Sequence, residues 1–96
     1  MRLYLYWIIL SVLSVSCSAQ SVSDHYQSIV NQYCVTCHND QLKTAGLSLQ
    51  DISAHDIGNG AEKWEKVLRK LNARAMPPAG MPRPDPATYD AFSQFL

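Results

Sequence analysis

Cys34, Cys37 and His38 are the residues of this 96-residue chain whose types and spacing limit their chemistry most narrowly. Two thiols three positions apart lie about one helical turn from each other. An imidazole follows the second thiol directly. This spacing lets both sulfurs reach the two vinyl groups on one edge of a porphyrin while the histidine turns under the ring to its iron, the attachment pattern of c-type haem. Covalent attachment is therefore the candidate role of Cys34 and Cys37, and iron ligation that of His38, with Val35 and Thr36 filling the turn. A structural zinc site would need four ligands. No second cysteine pair exists here, and His25 and His55 lack matching spacing. A thioredoxin-like dithiol would require a βαβ setting that the chain does not show.

A second donor to that iron is to be sought in the one stiff segment of the chain. Met76-Pro77-Pro78-Ala79-Gly80-Met81-Pro82-Arg83-Pro84 cannot be helical with its four prolines. Such a loop suits a ligand kept at a fixed distance. Met76 and Met81 are both candidates, since a methionine outside a helix is less readily explained as core filling.

Three amphipathic segments must position these residues. Ser23 or Asp24 can cap a helix that runs to about Cys34, with Tyr26, Ile29, Val30 and Tyr33 on one face. A second helix is expected over Ala61 to Ala73. Trp64, Val67, Leu68 and Leu71 form its apolar stripe, and Glu62–Lys66 and Glu65–Arg69 are spaced as favourable ion pairs. A third begins after Asp85 as N-cap, with Pro86 at the first helical position and Tyr89, Phe92, Phe95 and Leu96 facing inward. No segment alternates at period two, so the expected fold class is all-α. The Gly46-Leu47-Ser48-Leu49 stretch should return across the haem edge with its leucines inward. Trp64 is expected to pack against the porphyrin edge, and Lys43, Arg69 and Arg74 to be solvated.

The amino terminus reads as an export signal. Arg2 is a minimal positive region, Leu3 to Val15 is almost wholly apolar, and small residues follow through Ala19. Residues 1–19 are thus expected to be a signal peptide and 20–96 the folded domain, outside the cytoplasm, where such haem attachment takes place. The apolar run is shorter than the about 20 residues that span a bilayer. Cys17 also resembles a lipoprotein lipidation site, although Leu13 stands one place early for that pattern, so a lipid anchor is the alternative.

Eight basic and eight acidic residues give a formal charge of zero and no basic patch, which argues against a nucleic-acid partner. A domain of about 75 residues buries too little apolar surface for comfortable stability without a staple, and a covalently held haem would be one.

Taken together, Tyr33-Cys34-Val35-Thr36-Cys37-His38-Asn39, Lys43-Thr44-Ala45-Gly46-Leu47-Ser48-Leu49, Trp64-Glu65-Lys66-Val67 and Met76-Pro77-Pro78-Ala79-Gly80 resemble the planctomycete-type cytochrome c domain, a small His/Met c-type cytochrome. The resemblance covers essentially all of the chain after the leader. It implies about three helices around one covalently bound haem c, with Met76 as the distal ligand opposite His38. Where many small cytochromes c have a proline whose carbonyl accepts the proximal imidazole N–H, this chain has Ala45-Gly46. A carbonyl of Thr44 to Leu47 is expected to take that role, since ligating histidines nearly always have such a partner.

The implied function is single-electron transfer between redox protein partners, without catalysis by this domain. Two alternatives stay open: an electron inlet for an attached or separate catalytic domain of a larger secreted enzyme, or a five-coordinate sensor or peroxidase-like site if no methionine binds. Leu96 falls within a pattern that is still amphipathic and uncapped, so the terminal helix is expected to be truncated. Domains of the resembled type commonly stand at the start of longer secreted proteins.

Overall fold

The computed structural model describes residues 19–96. The expected signal segment and Cys17 lie outside the described residues, apart from Ala19, where the first helix begins. Among the described residues there are three α-helices and no strand: α1 (Ala19–Tyr33), α2 (Ala61–Asn72) and α3 (Pro86–Phe95), with short 3-10 turns at Thr44–Gly46 and Ile57–Gly60. The fold is all-helical, as the periodicity predicts. None of these helices is long and apolar enough to cross a membrane.

Helix α1 starts upstream of Ser23 and Asp24, which therefore do not cap it. Local pattern suggests a cap because short polar side chains compete for backbone N–H groups. In the fold the Asp24 carboxylate is instead taken by the His55 imidazole, 31 positions away. Ile29 and Val30 are buried and Tyr26 and Tyr33 half-buried, so the anticipated face does turn inward. Helix α2 keeps its stripe, with Trp64, Val67 and Leu71 buried. The expected Glu62–Lys66 and Glu65–Arg69 pairs do not form. The Lys and Arg ion pairs among the described residues are Asp51–Lys63 and Asp90–Arg74.

Helix α2 ends in a double backbone hook. Arg74 N–H bonds the Leu71 carbonyl at 3.1 Å and Ala75 N–H the Lys70 carbonyl at 2.9 Å. That pattern places Arg74 where glycine is usual, at φ 54°. Helix α3 is capped as expected, with the Asp85 carboxylate accepting the Thr88 N–H at 2.8 Å.

Among the described residues the core is small and draws on all three helices and the segment between α1 and α2. Phe92 of α3 (1% exposed) and Val30 of α1 (0%) are its most enclosed side chains. Tyr26 stacks on Phe92 and Phe95, with ring centroids 5.2 and 4.3 Å apart, so α3 closes across α1. The long segment between α1 and α2 is tied down by polar bonds at both ends. Gln27 accepts the Ala54 N–H at 2.8 Å, and Lys63 bonds Asp51 and the Ser48 carbonyl. Gly60, just before α2, lies against Ile52 and Trp64.

Two variants test this account. A Cβ at Gly60 would meet Ile52 Cγ2 at 2.7 Å. Gly60→Ala should therefore lower the unfolding free energy by about 1–3 kcal/mol in a urea titration. Hydrogen bonds from Thr88, side chain first and backbone N–H second, hold the Asp85 carboxyl below its ordinary range. A depressed carboxyl stabilises above its unfolded pKa and loses that contribution as pH falls through the folded value. Asp85→Ala should lower Tm at pH 7, and the gap to the parent should shrink below about pH 4.

Candidate functional site

The Cys34–His38 segment continues α1 as a turn. Cys34 and Val35 N–H groups both bond the Val30 carbonyl, at 2.9 and 3.1 Å, and His38 N–H bonds the Cys34 carbonyl at 2.9 Å. The chain then curls back on the motif. Thr44 N–H reaches the Cys37 carbonyl at 3.2 Å and Leu49 N–H the His38 carbonyl at 2.9 Å. Asn39 clasps this curl with both ends of its amide. It donates to the Val35 and Thr36 carbonyls at 2.9 and 3.2 Å and accepts the Leu42 and Gln41 N–H groups at 2.8 and 3.1 Å. Ser48, buried, donates to Asp40 at 2.6 Å, while Gln50 accepts the Asp40 N–H. This network was not foreseen from sequence beyond Asn39's place in the motif, because each bond joins residues whose proximity follows from the curl.

A cavity of about 640 Å³ opens between this segment and the proline-rich loop. Cys34, Cys37, His38, Met76 and Met81 all line it, as do Leu47 and Leu49, which face inward as expected. Its volume is in the range of cofactor and ligand sites. Both thiols are free, and burial pushes the Cys34 thiol up to about 11. Met76 is half-buried whereas Met81 is 46% exposed. The Met76–Pro77 peptide is cis.

Three expectations are corrected here. Trp64 is buried but does not line the cavity: it lies on the same stripe as Val67 and Leu71, which do, but at the amino-terminal end of α2, against Gly60. His38 has no carbonyl partner in Thr44–Leu47, and its Nδ1 is buried without a hydrogen bond. Within that stretch the Thr44 carbonyl is taken by the Leu47 N–H at 3.2 Å. Arg74 is not simply solvated, since it pairs with Asp90 and its guanidinium lies 4.4 Å from the Tyr89 ring centre. His55 and His25 lie on the surface, the first bonded to Asp24 and Ser53 and the second edge-on to Tyr26.

Lys66, Arg69 and Lys70 also edge the cavity, and no carboxylate lines it. In a chain with equal numbers of acids and bases this is a marked local bias. Sequence alone places these cations on the polar face of α2; only the packing of α2 shows that this face borders the cavity.

The residues present fit a haem. Two free thiols and an imidazole with an unsatisfied buried nitrogen share an apolar cavity with a thioether, a soft iron donor. The cations suit the two carboxylates that a haem carries. Among the described residues no cluster of three His, Cys, Asp or Glu side chains could hold a bare metal ion.

A family model described as "Cytochrome C oxidase, cbb3-type, subunit III" matches residues 22–96. The match is to that small c-type cytochrome domain, not to the planctomycete type that the motifs resemble. No curated protein and no solved structure matches the chain.

Asn39→Ala removes four bonds in the cavity wall at once. It should cost about 1–3 kcal/mol in equilibrium unfolding, as expected when backbone groups lose their partner.

Proposed function

The chain belongs to the cbb3-type cytochrome c oxidase subunit III family, and on that premise we propose that it is an extracytoplasmic electron carrier with His/Met ligation. As a cytochrome c domain it carries covalently attached haem c and serves haem-based electron transfer. When bound, the haem supplies a one-electron Fe(III)/Fe(II) couple.

The chain's own residues do the rest. Cys34 and Cys37 would hold the group through thioether bonds, and His38 and Met76 would supply its two iron donors. With both positions taken no open site remains for a substrate, so this domain moves electrons and does not catalyse. A soft thioether opposite an imidazole favours the reduced iron relative to two imidazoles. Leu47, Leu49, Phe92 and Tyr89 exclude water around it, and Lys66, Arg69 and Lys70 offer charge to its carboxylates. The observation that carries this reading is the convergence of Cys34, Cys37, His38 and Met76 on one cavity without a carboxylate. Met76 is preferred over Met81 because it is the less exposed of the two. The apolar leader with small residues through Ala19 supports export, with Cys17 as an anchor point if it is lipidated.

The partners are redox proteins. The family's description as an oxidase subunit favours a second reading, in which the domain feeds electrons to a catalytic partner.

Expression with the leader in a host that attaches haem to C-x-x-C-H motifs tests the proposal. The expected product is exported, heavier by one haem, and keeps the haem under denaturing conditions; replacing Cys34 and Cys37 together with Ala abolishes this. Met76→Ala should remove the far-red absorption band of Fe(III)–Met ligation. It should also lower the reduction potential by on the order of 0.1 V, within the about 0.8 V that axial ligands command. Met81→Ala should leave both unchanged. A far-red band missing from the parent, with fast carbon monoxide binding after reduction, would overturn six-coordinate carriage.

A further inference from the structure

The loop that carries Met76 is held by a side-chain network rooted in α3. Tyr89 is 4% exposed, and its hydroxyl donates to the Met76 carbonyl at 3.0 Å. The same oxygen accepts the Arg83 Nε–H at 3.0 Å. Arg83 also bonds the Arg74 carbonyl, which closes the two ends of the loop on each other. The Arg74 guanidinium packs 4.4 Å from the Tyr89 ring centre and pairs with Asp90, one residue on in α3. Arg74 holds a left-handed backbone at φ 54°, a conformation that costs a non-glycine residue free energy and persists where surrounding contacts impose it. Its side chain supplies those contacts.

We propose that Tyr89, oriented by Arg83 and Arg74, is the positioning residue that fixes Met76 as the thioether presented to the iron. The inference rests on Met76 being the distal ligand. The bond from Tyr89 reaches the backbone of Met76 itself, so it sets where that side chain departs from the loop. Met81, five residues on, has no such bond and is the more exposed of the two. The loop without the Tyr89 bond keeps its prolines and its stiffness but loses the one tether between the Met76 backbone and α3.

Tyr89→Phe keeps the buried ring and removes only the tether. In the haem-loaded protein, well below its Tm, the Met-detached fraction should rise about three- to tenfold, the factor that one net hydrogen bond is worth. Two readouts report it: weaker far-red absorption in the oxidised protein and faster carbon monoxide binding in the reduced one. Arg83→Gln leaves the core ring untouched and should shift both readouts in the same direction by less. Met76→Ala and Met81→Ala are measured alongside. If Met76→Ala keeps the far-red band and Met81→Ala loses it, the ligand assignment fails and the role of Tyr89 with it. If Met76→Ala abolishes the band while Tyr89→Phe and Arg83→Gln match the parent in both readouts, the ligand assignment stands and the positioning role is overturned. A fall in Tm alone would mark Tyr89 as a core ring and nothing more.

Discussion

All three helices and both long loops of the described residues meet around one apolar cavity. Protein interiors are packed to crystalline density, and an internal gap forfeits contacts on every side. A cavity of about 640 Å³ is a large gap beside the nine buried apolar residues among those described. Cavity and core share walls: Ile29, Leu49, Val67, Leu71, Tyr89 and Phe92 belong to both. The contacts those side chains lack toward the cavity are the ones that a large planar apolar group would provide.

The polar bonds follow from the same constraint. Backbone that lines a cavity cannot rely on a regular ladder, and buried N–H and C=O groups must still be paired. The wall on the Cys34–His38 side meets this by curling on itself and letting Asn39 take four bonds. The opposite wall is short of N–H groups because of its prolines, and it is held from outside by Tyr89 and Arg83. Two different solutions face each other across one space.

Much of this was legible in the amino-acid order, for reasons that differ from place to place. The α2 stripe and the Asp85-Pro86 start of α3 are local patterns, so their limits were readable to within a residue. The start of α1 was not, because the partner that takes Asp24 out of a capping role is His55, far along the chain. The thiols, the imidazole and the two methionines were all visible as residue types with special chemistry. What sequence could not supply was direction. Trp64 packs on Gly60 and stays off the cavity wall, the cations of α2 edge it, and the Tyr89 hydroxyl meets a carbonyl 13 positions upstream. Each of these depends on how one helix lies against another, which periodicity within a single helix does not encode.

The stacked rings of Tyr26, Phe92 and Phe95 join the two helices from which the opposite walls hang, α1 leading into the thiol–imidazole turn and α3 tethering the methionine loop. They work as the fixed stop of a caliper. The jaws are the two loops, and the stacked rings brace the helices behind them. Changes in ring size at Tyr26 or Phe95, remote from any candidate ligand, would thus be felt as a change in jaw opening. Relatives that tune such a site need not touch its donors at all, since they could adjust the stop instead.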